Sequence, residues 1–283
     1  MYPFKEPVLF ASLVAAALWY ARGSRRPRLY PLPKRRRGHV PKARAACFYV
    51  GLLIVAVALD SPLDDLADKL FWAHMLQHVL LLTAAAPLIA LGAPWLPFWR
   101  PLPLRFRRRA AHAFADGVLS PVRRAAVFIG APLSAWLLFN ADIAVWHIPS
   151  LYDLTVRNAG VHYLEHISFI VFGILFWVHV VDSPPLHAQL NRARQLVYLV
   201  SAATASWLLA VVLAIAPRPL YPAYAALHHR PGGISALADQ QLAAGMMLGP
   251  GSIAFAIAVF YGIYAWLGAD ERPPSARLAV RQG

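Results

Sequence analysis

The sequence predicts an all-α polytopic membrane protein: one seven-transmembrane helix bundle, N-terminus outside and C-terminus cytoplasmic. Three observations predict it. Of its 283 residues, 59% are apolar and only 14% are charged, against about 25% charged in ordinary soluble domains. A water-soluble domain of this size has too little interior to hide that much apolar side chain. The same composition excludes a disordered chain, which needs low hydrophobicity. Second, the apolar residues gather into runs of spanning length, about 17–25 residues. Third, Lys and Arg alternate between basic loops and poor ones.

The runs fall at 7–21, 44–60, 70–92, 125–146, 162–181, 195–216 and 240–268. The first is short, lying between Glu6-Pro7 and Arg22. No positive segment precedes it and no small-x-small cleavage site is evident, so it is a poor signal peptide. The second holds Cys47, the one cysteine, which reads as packing. A single cysteine excludes a disulfide framework and a Cys-x-x-Cys metal site. Pro87, Pro132 and Pro250 fall inside the third, fourth and seventh runs. Membrane helices tolerate such kinks where neighbours satisfy the freed carbonyls. No polar linker or repeat divides the chain, so residues 1–283 read as a single domain.

Orientation follows from the basic residues. Ten lie between Arg22 and Arg44, including Lys34-Arg35-Arg36-Arg37, and seven between Arg100 and Arg124. Arg192, Arg194 and three tail arginines fall on the same side. The other side has Lys5, Lys69, Arg157, Arg218 and Arg230. The positive-inside rule then places the N-terminus outside. In a soluble protein the net charge of +14 would suggest nucleic acid. Here topology and anionic lipid contact account for it, and no nucleic-acid partner is expected.

There are eleven histidines. His39, His112, His179 and His187 fall in cytoplasmic segments or helix ends. The others lie outside or in outer helix halves. The third span opens Phe71-Trp72-Ala73-His74-Met75-Leu76-Gln77-His78, and the fifth His162-Tyr163-Leu164-Glu165-His166. The fourth ends Trp146-His147-Ile148-Pro149, and the seventh enters at Asp239-Gln240-Gln241 and reaches Met246-Met247. Residues four apart share a helix face, so His74/His78 and His162/His166 are face-sharing pairs. At 1.5 Å rise per residue, His78 lies roughly 12 Å below the outer helix end, and His166 and Met246 roughly 6–10 Å below theirs. Four helices therefore place His, Glu, Asp, Gln and Met in one layer.

Ionisable side chains inside a membrane are costly and face a bundle interior or cavity. Two such His pairs have metal-ligand geometry. Imidazole suits Zn, Cu, Fe and Ni, and thioether sulfur shifts the preference toward Cu(I). The candidate ligands are His74, His78, His162, His166, His147, Met246 and Met247. Glu165, Asp239 and Gln241 are candidates for orienting a ligand ring. Blander roles stand beside these. His147 also suits an interfacial anchor beside Trp146, Met246 and Met247 suit helix packing, and Asp239 suits an N-cap. His228 and His229, with Pro231-Gly232-Gly233, suit a solvated loop, as do Asp60, Asp64, Asp65 and Asp68.

Several of these segments resemble one family. His74-Met75-Leu76-Gln77-His78, Ala86-Pro87-Leu88 and Leu91-Gly92-Ala93-Pro94 are similar to the CtaG-type assembly factors of caa-type cytochrome c oxidase. So are Trp146-His147-Ile148-Pro149 with Leu151-Tyr152-Asp153, His162 to His166, and Leu237 to Gly245 followed by Pro250-Gly251. The resemblance covers about residues 45–268, in order. It implies a multi-pass protein of the bacterial cytoplasmic (inner) membrane that supports formation of active haem-copper oxidase by delivering or inserting copper. It carries over His74, His78, His147, His162, His166 and Asp239 as functional positions. The implied partners are a haem-copper oxidase subunit, other copper chaperones and membrane lipid. With Cys47 alone, a thiolate copper mechanism is not expected.

The leading expectation is therefore a non-enzymatic assembly factor holding copper near the outer membrane face. A second reading is an intramembrane zinc hydrolase, since His162-Tyr163-Leu164-Glu165-His166 matches H-x-x-E-H; Glu165 would then be general base. A third is a haem protein with ligands from two helices. A retinal protein is disfavoured, because no span has an internal Lys for a Schiff base.

Overall fold

Helices account for most of the described residues, and no strand forms among them. The computed structural model describes residues 6–25 and 40–270, with Asp116, His187 and His228 excepted. His39, the 34–37 basic run and the tail arginines lie outside the described residues. The order is α1 (Pro7–Ser24), α2 (Lys42–Leu59), α3 (Pro62–Ala67) and α4 (Phe71–Val79). A π-helical turn, Leu80–Ala85, leads into α5 (Ala86–Leu91). Then come α6 (Trp95–Trp99), α7 (Leu104–Ala115), α8 (Ser120–Ile129), α9 (Pro132–Trp146), α10 (Pro149–Arg157) and α11 (Ala159–Trp177). The last are α12 (Arg192–Ile215), α13 (Pro222–Ala225), α14 (Ala236–Leu248) and α15 (Pro250–Asp270).

Among the described residues, five helical stretches are long and apolar enough to cross a membrane: Lys42–Leu59, Phe71–Leu91, Ala159–Trp177, Arg192–Ile215 and Ala236–Gly268. The pair α8–α9 makes a sixth if the two count as one span. Phe71–Leu91 is the central one. In its most apolar window 67% of the residues are buried, against 28% in each of the spans containing α2, α11 and α12. It packs against α14 through α4, and against α2 and α11 through α5. The outer helices expose large apolar side chains such as Phe128, Ile215 and Phe260, as a lipid-facing surface requires.

Two expectations about continuity are corrected. The run 125–146 is not one helix: α8 and α9 meet at 69°. Ala131 between them is extended, at φ −71° and ψ 148°. Pro132 opens α9 in the first turn, where its missing N–H has no intrahelical partner to lose. Pro250 likewise opens α15 after Gly249. Neither proline kinks a helix interior.

Pro87 follows a different logic. The π turn before it pairs the Ala86 N–H with the Leu81 carbonyl, five residues back. The next bond in that register would run from residue 87 to Leu82, and proline has no N–H to make it. The indole N–H of Trp177 donates to the Leu82 carbonyl instead, at 2.8 Å. One register fault is thus satisfied from α11.

Candidate metal centre

The site sits where α4, α10, α11 and the 216–235 connection converge. Asp239 sets the position of α4. Leu70, the N-cap, gives that helix no side-chain cap. The Asp239 carboxylate on α14 accepts the N–H of Phe71 at 2.9 Å and of Trp72 at 3.0 Å. A carboxylate there also complements the positive end of the helix dipole. α14 itself is capped by Ser235, whose side chain accepts from the Ala238 N–H.

The i, i+4 spacing on α4 and α11 turns both histidine pairs inward. His74 and His78 rings are 4.4 Å apart, and His162 and His166 rings 4.2 Å. The pairs also meet: His74 lies 5.0 Å from His162, and His78 lies 5.5 Å from His166. Glu165 completes the group. Its Oε2 is 3.7 Å from His74 Nε2, and its Oε1 is 3.6 Å from His78 Nε2. One ligand atom from each of His74, His162, Glu165 and His166 falls within 4.8 Å of all the others. All but the half-buried His162 are buried.

The hydrogen-bond pattern assigns tautomers. The Tyr224 hydroxyl has one proton, which it donates to the Ala67 carbonyl. It lies 3.2 Å from His74 Nδ1, so Nδ1 carries the proton and donates to it. Burial raises the Tyr224 pKa above its ordinary value, which keeps that hydroxyl protonated. His147 Nδ1 lies 2.7 Å from the Ile143 carbonyl. A carbonyl only accepts, so Nδ1 carries the proton there too. Both rings then present a bare Nε2 lone pair. Tethering one nitrogen to free the other is how proteins prepare metal-binding imidazoles.

Those lone pairs are not used inside the protein. Nε2 of His74, His147, His162 and His166, both nitrogens of His78 and both oxygens of Glu165 are buried without a hydrogen-bond partner among the described residues. Buried polar atoms left unpaired cost about 1–3 kcal/mol each. Those of His74, His162, His166 and Glu165 lie close enough together to fit a single cation.

The other sequence candidates fall elsewhere. Asp239 serves the α4 backbone rather than a histidine nitrogen. Gln241 is exposed and donates to the Ala214 carbonyl at 3.4 Å. Met247 is buried and lines a cavity with His78 and His147, whereas Met246 is half-buried and does not line it. Sequence reasoning missed Tyr224 as the partner of His74, and Tyr152, whose ring lies 5.2 Å from it. A tyrosine in a Pro-rich connection carries no spacing signal toward a helix 150 residues away. The connection is pinned over the site by Tyr221, which donates to the His147 carbonyl at 3.1 Å, and by Asp153, which accepts the Ala223 N–H at 3.0 Å.

These features define a helical membrane protein with a buried histidine–carboxylate cluster near one end of its bundle. The chain belongs to the cytochrome c oxidase caa3 assembly factors (Caa3_CtaG), whose family pattern matches residues 18–269. Curated relatives include an uncharacterized protein of Mycobacterium bovis and one of Mycobacterium tuberculosis. Each is 25% identical over 182 residues, which is 64% of this chain and 26% of the relative. The chain thus spans about a quarter of the length of these relatives. No solved structure matches it.

Proposed function

We propose that this assembly factor binds copper at the His74, His162, His166 and Glu165 cluster and passes it to a haem-copper oxidase subunit docked in the membrane. The observation that carries the reading is the set of bare, buried nitrogen and carboxylate atoms within ligand distance of one another. Family membership supplies the oxidase as client. We place the chain in the bacterial cytoplasmic membrane with seven spans, α1 being the first and α8–α9 the fourth. The basic loops put its N-terminus and the metal cluster toward the outer face. Copper would arrive there from a chaperone in the outer compartment. The role is delivery rather than catalysis: imidazole ligands hold copper while remaining exchangeable.

The test is metal content of detergent-purified protein after copper loading, with an optical spectrum. At least one copper per chain, reduced in His74→Ala/His78→Ala, is expected. Absence of copper under loading would overturn the reading. A second reading rests on Glu165, whose two free oxygens sit among three histidines as a general base beside zinc would. Stoichiometric zinc, and a hydrolytic activity abolished by Glu165→Gln, would favour it. A Soret band would point to haem.

A further inference from the structure

We infer a second metal site beside the first, softer in character and fitted to a monovalent soft cation such as Cu(I). It rests on the copper reading and divides its donors in two. A cavity of about 40 Å³ lies between α4, α9, α12 and α14. One water needs about 10–15 Å³ by the same measure, so a bare ion fits. His78, His147, Met75 and Met247 line it. Both histidines are buried, at 3% and 8% exposure. Nε2 of His147 and both nitrogens of His78 have no partner among the described residues. Their other neighbours at the cavity are mostly apolar, including Phe139, Ile143 and Phe169.

Donor chemistry separates the two sites. The first cluster contains the Glu165 carboxylate, a hard oxygen donor. The cavity has imidazole nitrogen and thioether sulfur, with no carboxylate among its described lining residues. Thioether and imidazole select Cu(I) over harder divalent ions. A neutral donor set in an apolar cavity also suits a single positive charge better than two.

His78 stands between the two. Its Nε2 stands 3.6 Å from Glu165 Oε1, while its ring lines the cavity. A copper ion leaving the first cluster would therefore meet the His78 imidazole next to Glu165. Spread over two stations, the layer becomes a short relay rather than one over-supplied site.

The experiment is anaerobic titration of the full-length, detergent-purified protein with Cu(I) against a competing chelator. X-ray absorption of the loaded protein then reads its ligands. Two equivalents are expected, with sulfur among the ligands. Met75→Leu/Met247→Leu keeps the core volume; it should abolish the sulfur signal and one equivalent while leaving the other. His162→Ala/His166→Ala should do the reverse. A wild-type protein that binds one equivalent through nitrogen and oxygen alone overturns the second site and leaves the first standing. No copper in any form overturns both. The wild-type sulfur signal decides the matter even if a variant fails to fold.

Discussion

The Asp239 carboxylate accepts the Phe71 N–H at 2.9 Å, bridging 168 residues of chain to cap the helix that carries His74 and His78. This cap comes from a different helix, so its loss changes both stability and the aim of the site. Caps of this kind contribute about 0.5–2 kcal/mol. Asp239→Ala is expected to lower the melting temperature in detergent and to weaken metal binding. Asp239→Asn, which keeps an acceptor oxygen, should retain most of both. Equal metal affinity in Asp239→Ala and wild type would show that the cap does not position the histidines.

Tyr224 fixes the tautomer of His74 by accepting its Nδ1 proton while donating to Ala67. Removing a partner of this sort typically lowers metal affinity 10–100-fold. Tyr224→Phe should therefore weaken copper retention against a chelator by about that factor. A purely structural tyrosine would shift the melting temperature and leave the affinity of the folded fraction unchanged.

Trp177 supplies the donor that Pro87 cannot. Trp177→Phe keeps an aromatic ring but leaves the Leu82 carbonyl buried and unbonded, at a cost of about 1–3 kcal/mol. Restoring a backbone donor with Pro87→Ala should recover part of that loss. Thermal denaturation of the two single variants and the double variant measures the coupling. Strict additivity would mean that the two positions do not share the carbonyl.

The spans were legible because hydropathy and length are local properties: Phe71–Leu91 and Arg192–Ile215 read directly off apolar runs. The two His pairs were legible because four residues make about one helical turn, whatever surrounds the helix. The break at Ala131 was not. Gly130-Ala131-Pro132 is compatible with a tolerated kink or with a new helix, and packing of α9 on α11 and α12 selects the latter. The π turn was hidden for a similar reason, since its stability depends on an indole 95 residues away. Asp239 stood out as an acid near a span entrance. Its target could not be read, because a carboxylate serves a ring nitrogen and a backbone N–H equally well.

Gly92 packs tightly against α2 at the chain end of α5. A Cβ added there would lie 2.6 Å from Phe48 Cβ, 3.0 Å from Phe48 Cα and 3.1 Å from the Ile89 carbonyl oxygen. Gly92→Ala must push the helices apart, and overpacking of this kind costs about 1–3 kcal/mol. The atoms in the way belong to the Phe48 backbone and its first carbon, not to its ring. Trimming the ring with Phe48→Ala therefore cannot relieve the clash, and it removes the stacking of Phe48 on Tyr20 at 4.0 Å. Gly92→Ala/Phe48→Ala is expected to melt below either single variant. A double variant more stable than Gly92→Ala would show that the ring, rather than the backbone, sets the spacing of these two helices.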